Sequence, residues 1–201
     1  MKKSGATNTL TQKTRLKLTA EILKNGGVGI LPTDTIYGLV GSALLEDSVK
    51  KIYKLRKRNP GKPMIILIGS IKDLSLFKIR PTKKEKTILN KVWPGKVSVV
   101  LPCVSQKFSY LHCGEKSLAF RLPQPKWLNQ LLSRTGPLVA PSANREGKKS
   151  ALTIKEAKKY FGKRVDFYFD SGKLSSLPST LITLKKGKVT VLREGVVKIR
   201  L

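Results

Sequence analysis

Residues 29–41 read Gly-Ile-Leu-Pro-Thr-Asp-Thr-Ile-Tyr-Gly-Leu-Val-Gly. The apolar run 28–31, bounded by Gly26-Gly27 and Pro32, has the length and flanks of a strand. Pro32 fixes its own φ and lacks an N–H, so the strand stops there and the donors after it face outward. Thr33, Asp34 and Thr35 are small polar residues that bring hydroxyls and free N–H groups to a strand end, where α/β sheets bind ligands. Tyr37 adds a polar tip on an apolar body, and Gly38 permits close backbone approach. Alone, Pro-Thr-Asp-Thr reads first as a plain turn between two strands. The rest of the chain decides between the two readings.

Upstream, Leu16, Ala20 and Leu23 fall at helical spacing over 12–24, and Asn25-Gly26-Gly27 is a stop. Residues 1–11 are polar and expected to fray. Downstream, 46–56 is a helix with acids in its first turn. It runs into a basic loop, Arg56-Lys57-Arg58-Asn59-Pro60-Gly61-Lys62, followed by an apolar strand at 63–68. Helices are expected at 70–77 and 82–93, the second with Thr82 and Glu85 at capping-box spacing. Strands at 97–101 and 118–122 flank a stretch, 103–116, of little periodicity that reads as a loop. A helix at 126–134 ends at Gly136. The short strand 137–140 runs into Pro141-Ser142-Ala143-Asn144, which repeats the opening device of strand, proline and small polar residues. A helix at 153–161, with Thr153 and Glu156 again at box spacing, precedes strands at 165–169, 179–184 and 189–192. Helices and strands alternate early and strands cluster late, with no repeat or linker. The pattern is a single α/β domain over 1–201, its core at about 12–197, built on a twisted open mixed sheet with flanking helices.

Charge dominates the composition. Forty-one Lys and Arg against 12 acids give +29 in 201 residues, a surface that attracts polyanions. A lysine-rich source would produce the same balance, and charge alone does not separate a nucleic-acid binder from a nucleotide-using enzyme. Apolar residues at 40% support a packed core. No apolar run is long enough to cross a bilayer, and residues 1–15 carry positive charge without an apolar segment after them. Cys103 and Cys113 fit two free thiols in a reducing compartment, so the expected location is the cytoplasm. His112 beside Cys113 has no second ligand pair nearby, and no metal site is read there.

Several familiar sites are missing: a Walker phosphate loop, a Gly-x-Gly-x-x-Gly fingerprint, a Gly-x-Ser-x-Gly elbow and an obvious carboxylate pair. What remains is a set of short donors (Thr33, Thr35, Ser142, Asn144, Ser150, Ser179) and cations (Arg56, Arg58, Lys62, Arg121, Arg193) at strand ends. Such an inventory suits a carboxylate and a polyphosphate together. Arg121, between Phe120 and Leu122, needs an anionic partner, which is either a ligand or an internal acid.

In order along the chain stand Pro-Thr-Asp-Thr-Ile-Tyr-Gly-Leu, Arg-Lys-Arg before Pro-Met-Ile-Ile-Leu, Trp-Pro-Gly, Leu-Ala-Phe-Arg-Leu-Pro, Ala-Pro-Ser-Ala-Asn, Pro-Ser-Thr-Leu-Ile and Leu-Arg-Glu-Gly. This ordered set resembles the YrdC-like family of threonylcarbamoyl-AMP synthases over roughly 16–197. The resemblance implies a twisted α/β sheet with a basic concave cavity. It also implies a nucleotidyltransferase that converts L-threonine, bicarbonate and ATP, with Mg2+, into L-threonylcarbamoyladenylate and pyrophosphate. A separate threonylcarbamoyl-transferase complex would then modify adenosine 37 of tRNA. By the same resemblance Thr35, Arg121, Ala140 and Ser179 form the threonine pocket. Arg58 and Lys62 hold phosphates, Arg56 occupies the family's other basic position, and Ser117, Ser142, Asn144, Ser150 and Arg193 meet the rest of the ATP.

The chain departs from the family pattern at three places. Arg56 and Asn59 stand in a Lys-x-Arg-Pro motif, Leu67 stands where some relatives carry histidine, and Lys96 follows Trp-Pro-Gly where proline is preferred. Two other readings stay open. One is a non-catalytic module that binds double-stranded RNA or tRNA in the same cavity; aromatics are only 6%, but a reader of duplex shape needs none. The other is a carbamoyl-transfer enzyme with a different acceptor, whose relatives usually carry additional domains.

Overall fold

The computed structural model describes residues 12–199. The expectation of a frayed segment at 1–11 lies outside them. The opening stretch is a hairpin: β1 (Gly29–Pro32) and β2 (Tyr37–Ser42) pair antiparallel, with Gly29 opposite Val40 and Pro32 opposite Tyr37. Both strands are buried along their whole length. Their side chains alternate between two cores, Ile30 and Leu39 facing one and Leu31 and Val40 the other. A sheet covered on both faces explains why these strands read as continuous apolar runs. The turn between two strands, the first reading of Pro-Thr-Asp-Thr, is what the chain forms here.

The chain continues through α2 (Glu46–Arg56), β3 (Ile65–Leu67), α3 (Lys83–Val92), β4 (Val97–Pro102), α4 (Ser109–His112), β5 (Ser117–Arg121), α5 (Lys126–Thr135) and β6 (Leu138–Val139). It finishes with α6 (Ile154–Phe161), β7 (Phe167–Tyr168), β8 (Thr180–Lys185) and β9 (Lys188–Arg193), while α1 (Gln12–Lys24) precedes β1. The described strands form one open sheet in the order β7-β1-β2-β6-β3-β5-β4-β8-β9. Three pairs are parallel, β1 with β7, β3 with β5 and β4 with β8, and the others antiparallel, so the sheet is mixed as expected. Leu16, Ala20 and Leu23 of α1 and Leu128, Leu131 and Leu132 of α5 cover one face. The other face carries the larger core, including Val49 and Ile52 of α2 and Ala157 and Phe161 of α6.

Two segments differ from the sequence reading. Residues 103–116 are not a plain loop but a 3₁₀ turn, Gln106–Phe108, running into α4, with Phe108 and Leu111 buried. Four residues of helix are too few to print a period. Residues 71–77 form a 3₁₀ helix. Its Asp73 accepts from the backbone N–H groups of Gly69 (2.8 Å) and Ser70 (3.1 Å). The Thr82–Glu85 box closes reciprocally at 2.8 and 3.2 Å. At α6, Thr153 accepts from Glu156 N, but the Glu156 carboxylate reaches Leu152 N at 2.8 Å, one residue short of a reciprocal box. Gly29 is forced by packing, because a Cβ there would lie 2.3 Å from the Phe167 ring of β7.

Phe77 sits between Phe108 and Phe120, with ring centroids 5.2 and 5.0 Å away, at the centre of the larger core. Phe77→Ala is therefore expected to cost about 3–5 kcal/mol in urea unfolding. A loss below about 1 kcal/mol would show that this cluster does not hold the fold.

Candidate functional site

Strand β6 is only two residues long, yet it decides where the site lies. It pairs with β2 on one side and β3 on the other. Past its end the chain stays against β2: Leu39 N donates to Pro141 O, Ala143 N donates to Tyr37 O, both at 2.9 Å, and Gly38 bridges Ser142. The two proline-ended strands thus deliver their polar loops side by side. Between these loops, the end of α2, the start of β3, and strands β4, β5, β8 and β9 lies a cavity of about 450 Å³.

In the first loop the Thr33 hydroxyl organises the turn. It donates to Ile36 O (2.7 Å) and accepts from Thr35 N (3.2 Å) and Ile36 N (3.3 Å). The Thr35 Oγ1 lies 3.1 Å away, and Thr35 lines the cavity. Asp34 turns inward, where its Oδ1 lies 3.1 Å from Arg121 Nη2, both side chains being almost fully buried. Of the two partners open to Arg121 from sequence, the structure supplies the internal acid. Burial pushes the Arg121 guanidinium down, Asp34 opposes that, and neighbouring Arg193 adds to it. Strand alternation places Ser117, Ala119 and Arg121 of β5 on the cavity wall, with the two polar ends roughly 13 Å apart.

Arg56 and Arg58 enter from the end of α2. Arg56 is buried; its Nε donates to Asn144 O (3.0 Å) and its Nη2 to Asn144 Oδ1 (3.2 Å) and Ser142 Oγ (3.3 Å). Burial first, then the charge of Arg58, pushes it down to about 10, which leaves it charged at neutral pH. Arg58 folds over its own loop, donating to Lys62 O (3.0 Å) and Pro63 O (2.9 Å). Across the cavity Arg193 donates to Ser179 O (2.7 Å), and the buried Ser179 hydroxyl meets Ser98 at 2.9 Å. Gly195 lets the chain cross tightly here, since a Cβ would fall 2.4 Å from Thr180 N.

Thr35, Arg56, Arg58, Ser117, Arg121, Ala140, Ser142, Ser150, Ser179 and Arg193 line this one cavity. Two residues fall outside it. Asn144 spends its side chain internally, accepting from Arg56 and from Ser142 Oγ and donating to Arg145 O and Lys148 O. Lys62 pairs with Glu146 at 3.0 Å on the surface. The sequence reading missed Asp34 as a site residue, although it stands inside the motif, and Glu115, which brings a carboxylate to the wall. It also missed the apolar lining of Ile36, Met64, Val100, Leu181 and Leu192. Tyr37 is a strut: its hydroxyl donates to Gly172 O (2.7 Å) and accepts from Ser171 N (3.0 Å), tying segment 170–172 to the rim. Among the described residues no group of three or more His, Cys, Asp or Glu is placed to hold a metal, and no helix is long and apolar enough to cross a membrane.

Residues 21–195 match the family model Sua5_yciO_yrdC, described as "Telomere recombination". The chain is 31% identical over 170 residues to the threonylcarbamoyl-AMP synthase of Neisseria gonorrhoeae, covering 83% of this chain and 89% of that protein. It is 30% identical over 188 residues to the threonylcarbamoyl-AMP synthase of Bacillus subtilis, covering 92% of this chain and 54% of that protein. Among solved structures it is similar to P. abyssi Sua5 complexed with L-threonine, with a TM-score of 0.83, 28% identity, and coverage of 90% of this chain and 54% of that one. The chain thus spans about half the length of the B. subtilis and P. abyssi relatives. By its sequence and its fold, the chain belongs to the Sua5/YciO/YrdC family.

Proposed function

We propose that this protein makes L-threonylcarbamoyladenylate from L-threonine, bicarbonate and ATP, releasing pyrophosphate, as a nucleotidyltransferase. One observation carries the reading: a single cavity holds four guanidinium groups, one paired to a buried acid and three free of ion pairs among the described residues. Such a wall can take an amino acid and a triphosphate at once. The relatives' names, and the L-threonine in the P. abyssi structure, support the same choice.

Thr35, Arg121, the Ala140 backbone and Ser179 would hold threonine. Arg58 and Lys62 would hold phosphates, which requires Lys62 to leave Glu146. Ser117, Ser142, Ser150 and Arg193 would meet the rest of the nucleotide, with Arg56 and Asn144 fixing Ser142. The free threonine amine adds to carbon dioxide with loss of a proton to solvent, or to bicarbonate with loss of water, to give a carbamate. A carbamate oxygen then attacks the α-phosphorus and pyrophosphate leaves. The protein contributes position and fixed positive charge, which does much of the work in transfers at phosphorus. The wall offers one carboxylate, Glu115, which does not make a metal site; Mg2+ would arrive on the triphosphate. The product would pass to a separate threonylcarbamoyl-transferase complex acting on adenosine 37 of tRNA, in the cytoplasm.

Pyrophosphate release should require threonine and bicarbonate together. Turnover without threonine would overturn the reading, and salt-sensitive binding of double-stranded RNA with no turnover would favour a binding module instead. Arg58→Ala should raise the KM for ATP about 10- to 100-fold, the loss of a charged hydrogen bond, with little change in melting temperature. Unchanged kinetics would make the basic loop mere surface. Thr35→Val keeps the shape and removes the hydroxyl; it should raise the threonine KM roughly 2- to 10-fold and leave that for ATP alone. An equal rise in both would remove Thr35 from the amino-acid end.

A further inference from the structure

Glu146 joins the two loops that border the cavity. Its backbone N–H donates to Arg56 O at 2.9 Å. Its carboxylate divides between two donors of the basic loop: Oε2 accepts from Asn59 N at 2.7 Å, and Oε1 takes the Lys62 ammonium at 3.0 Å. The two contacts are unequal. Asn59 N–H is a fixed backbone donor, whereas the Lys62 ammonium ends a flexible stem, and the side chains of Lys62 and Glu146 are 59% and 27% exposed. An exposed pair of this kind is weak and gives way to a stronger partner. The backbone beneath the stem is held, because Lys62 O accepts from Tyr53 Oη and from Arg58 Nε, both at 3.0 Å. The ammonium can therefore swing while the chain stays in place. Arg58 before it and Pro63 after it both line the cavity. The Asn59 N–H, then Lys62, hold the Glu146 carboxyl below its ordinary range, and Arg58 adds to this, so the group is ionised at neutral pH. A permanent negative charge thus stands among the cations of the phosphate end, near enough to act on Arg56 and Arg58 as well.

We infer that Glu146 is a positioning residue that exchanges Lys62 with the ligand: it keeps the ammonium outside the cavity while the phosphate end is empty, yields it to an incoming triphosphate and takes it back as pyrophosphate leaves. Charge gives the reason. A polyphosphate offers Lys62 several oxygens and more than one negative charge, so it outcompetes a single carboxylate. Glu146 does not lose its place, because Asn59 N–H still holds one oxygen and water can cover the other. Once the anion departs, the carboxylate is again the acceptor at hand. A basic loop without this counter-ion would grip a triphosphate harder and release pyrophosphate more slowly. That the ligand is ATP rests on the function proposed above; the competition between Glu146 and a polyphosphate for Lys62 is testable without it.

Calorimetry on the full chain tests this with two probes, inorganic tripolyphosphate and pyrophosphate. Glu146→Gln keeps an acceptor for Asn59 N–H and removes the charge. It should bind both anions about 5- to 10-fold more tightly than the unaltered protein does. In a Lys62→Met background the same substitution should gain only about twofold, the remnant being repulsion between like charges. Equal gains in the two backgrounds would overturn the inference, because Glu146 would then act as a distant charge and not through Lys62. A folded Glu146→Gln with unchanged or weaker binding, the mark of a merely structural residue, would overturn it as well. So would failure of the unaltered protein to bind either anion. A crystal of the unaltered protein soaked in tripolyphosphate decides the matter without any variant. Lys62 should then lie on a phosphate oxygen, with Asn59 N–H still on Glu146, and Lys62 left on Glu146 beside a bound anion would overturn the exchange. These outcomes are separable from the proposed activity. If the exchange held but ATP, threonine and bicarbonate gave no pyrophosphate, the loop device would stand and the adenylate reading would fall; pyrophosphate release with Lys62 unmoved would do the reverse.

Discussion

The cavity exists because the first residues of β2 bond to two neighbours at once. On one side they close the hairpin with β1, Tyr37 facing Pro32. On the other, Leu39 N and Tyr37 O take Pro141 O and Ala143 N. Pro32 ends its strand, and past Pro141 the ladder shrinks to an isolated bridge between Gly38 and Ser142, so the polar residues of both loops turn to the cavity. A two-residue strand, β6, is enough to set this up because it is buried and lies inside the sheet, paired on both edges.

The second constraint is the handling of buried positive charge in a chain of net +29. Arginine suits this better than lysine, because its planar fork gives several bonds in fixed directions and is less strongly hydrated. Arg56 shows why. Three acceptors from Ser142 and Asn144 converge on its guanidinium. A point-like ammonium would serve that geometry less well. Arg56 thereby couples the end of α2 to the second polar loop, so the basic loop and the Pro-Ser-Ala-Asn loop are positioned as a unit. The same economy governs Arg193 and Arg58, each held by backbone carbonyls that leave its full charge available to a ligand.

Much of this was legible in the residues. The proline-ended strands, the helix caps and the glycine stops are local chemistry, and local chemistry is written in adjacent positions. The ordered motifs supplied the list of cavity residues, and most of that list does converge. Three features were not legible, for three physical reasons. The helix Ser109–His112 is shorter than the window over which a helical period repeats. Asn144 looks like a ligand donor, but which way an amide turns depends on the loop that closes around it. Lys62 lies among the right residues in sequence, yet its charge finds Glu146, far along the chain.

The sequence by itself determined the mixed α/β architecture, the two strand-end loops and the types of group they carry, because turns, caps and apolar alternation are short-range properties. Only the tertiary structure decided which charges meet. Asp34 and Arg121 stand 87 positions apart and come within 3.1 Å only because β1, β2, β6, β3 and β5 are neighbours in one sheet. Pairing across a sheet depends on strand order, and strand order is a property of the whole packed core.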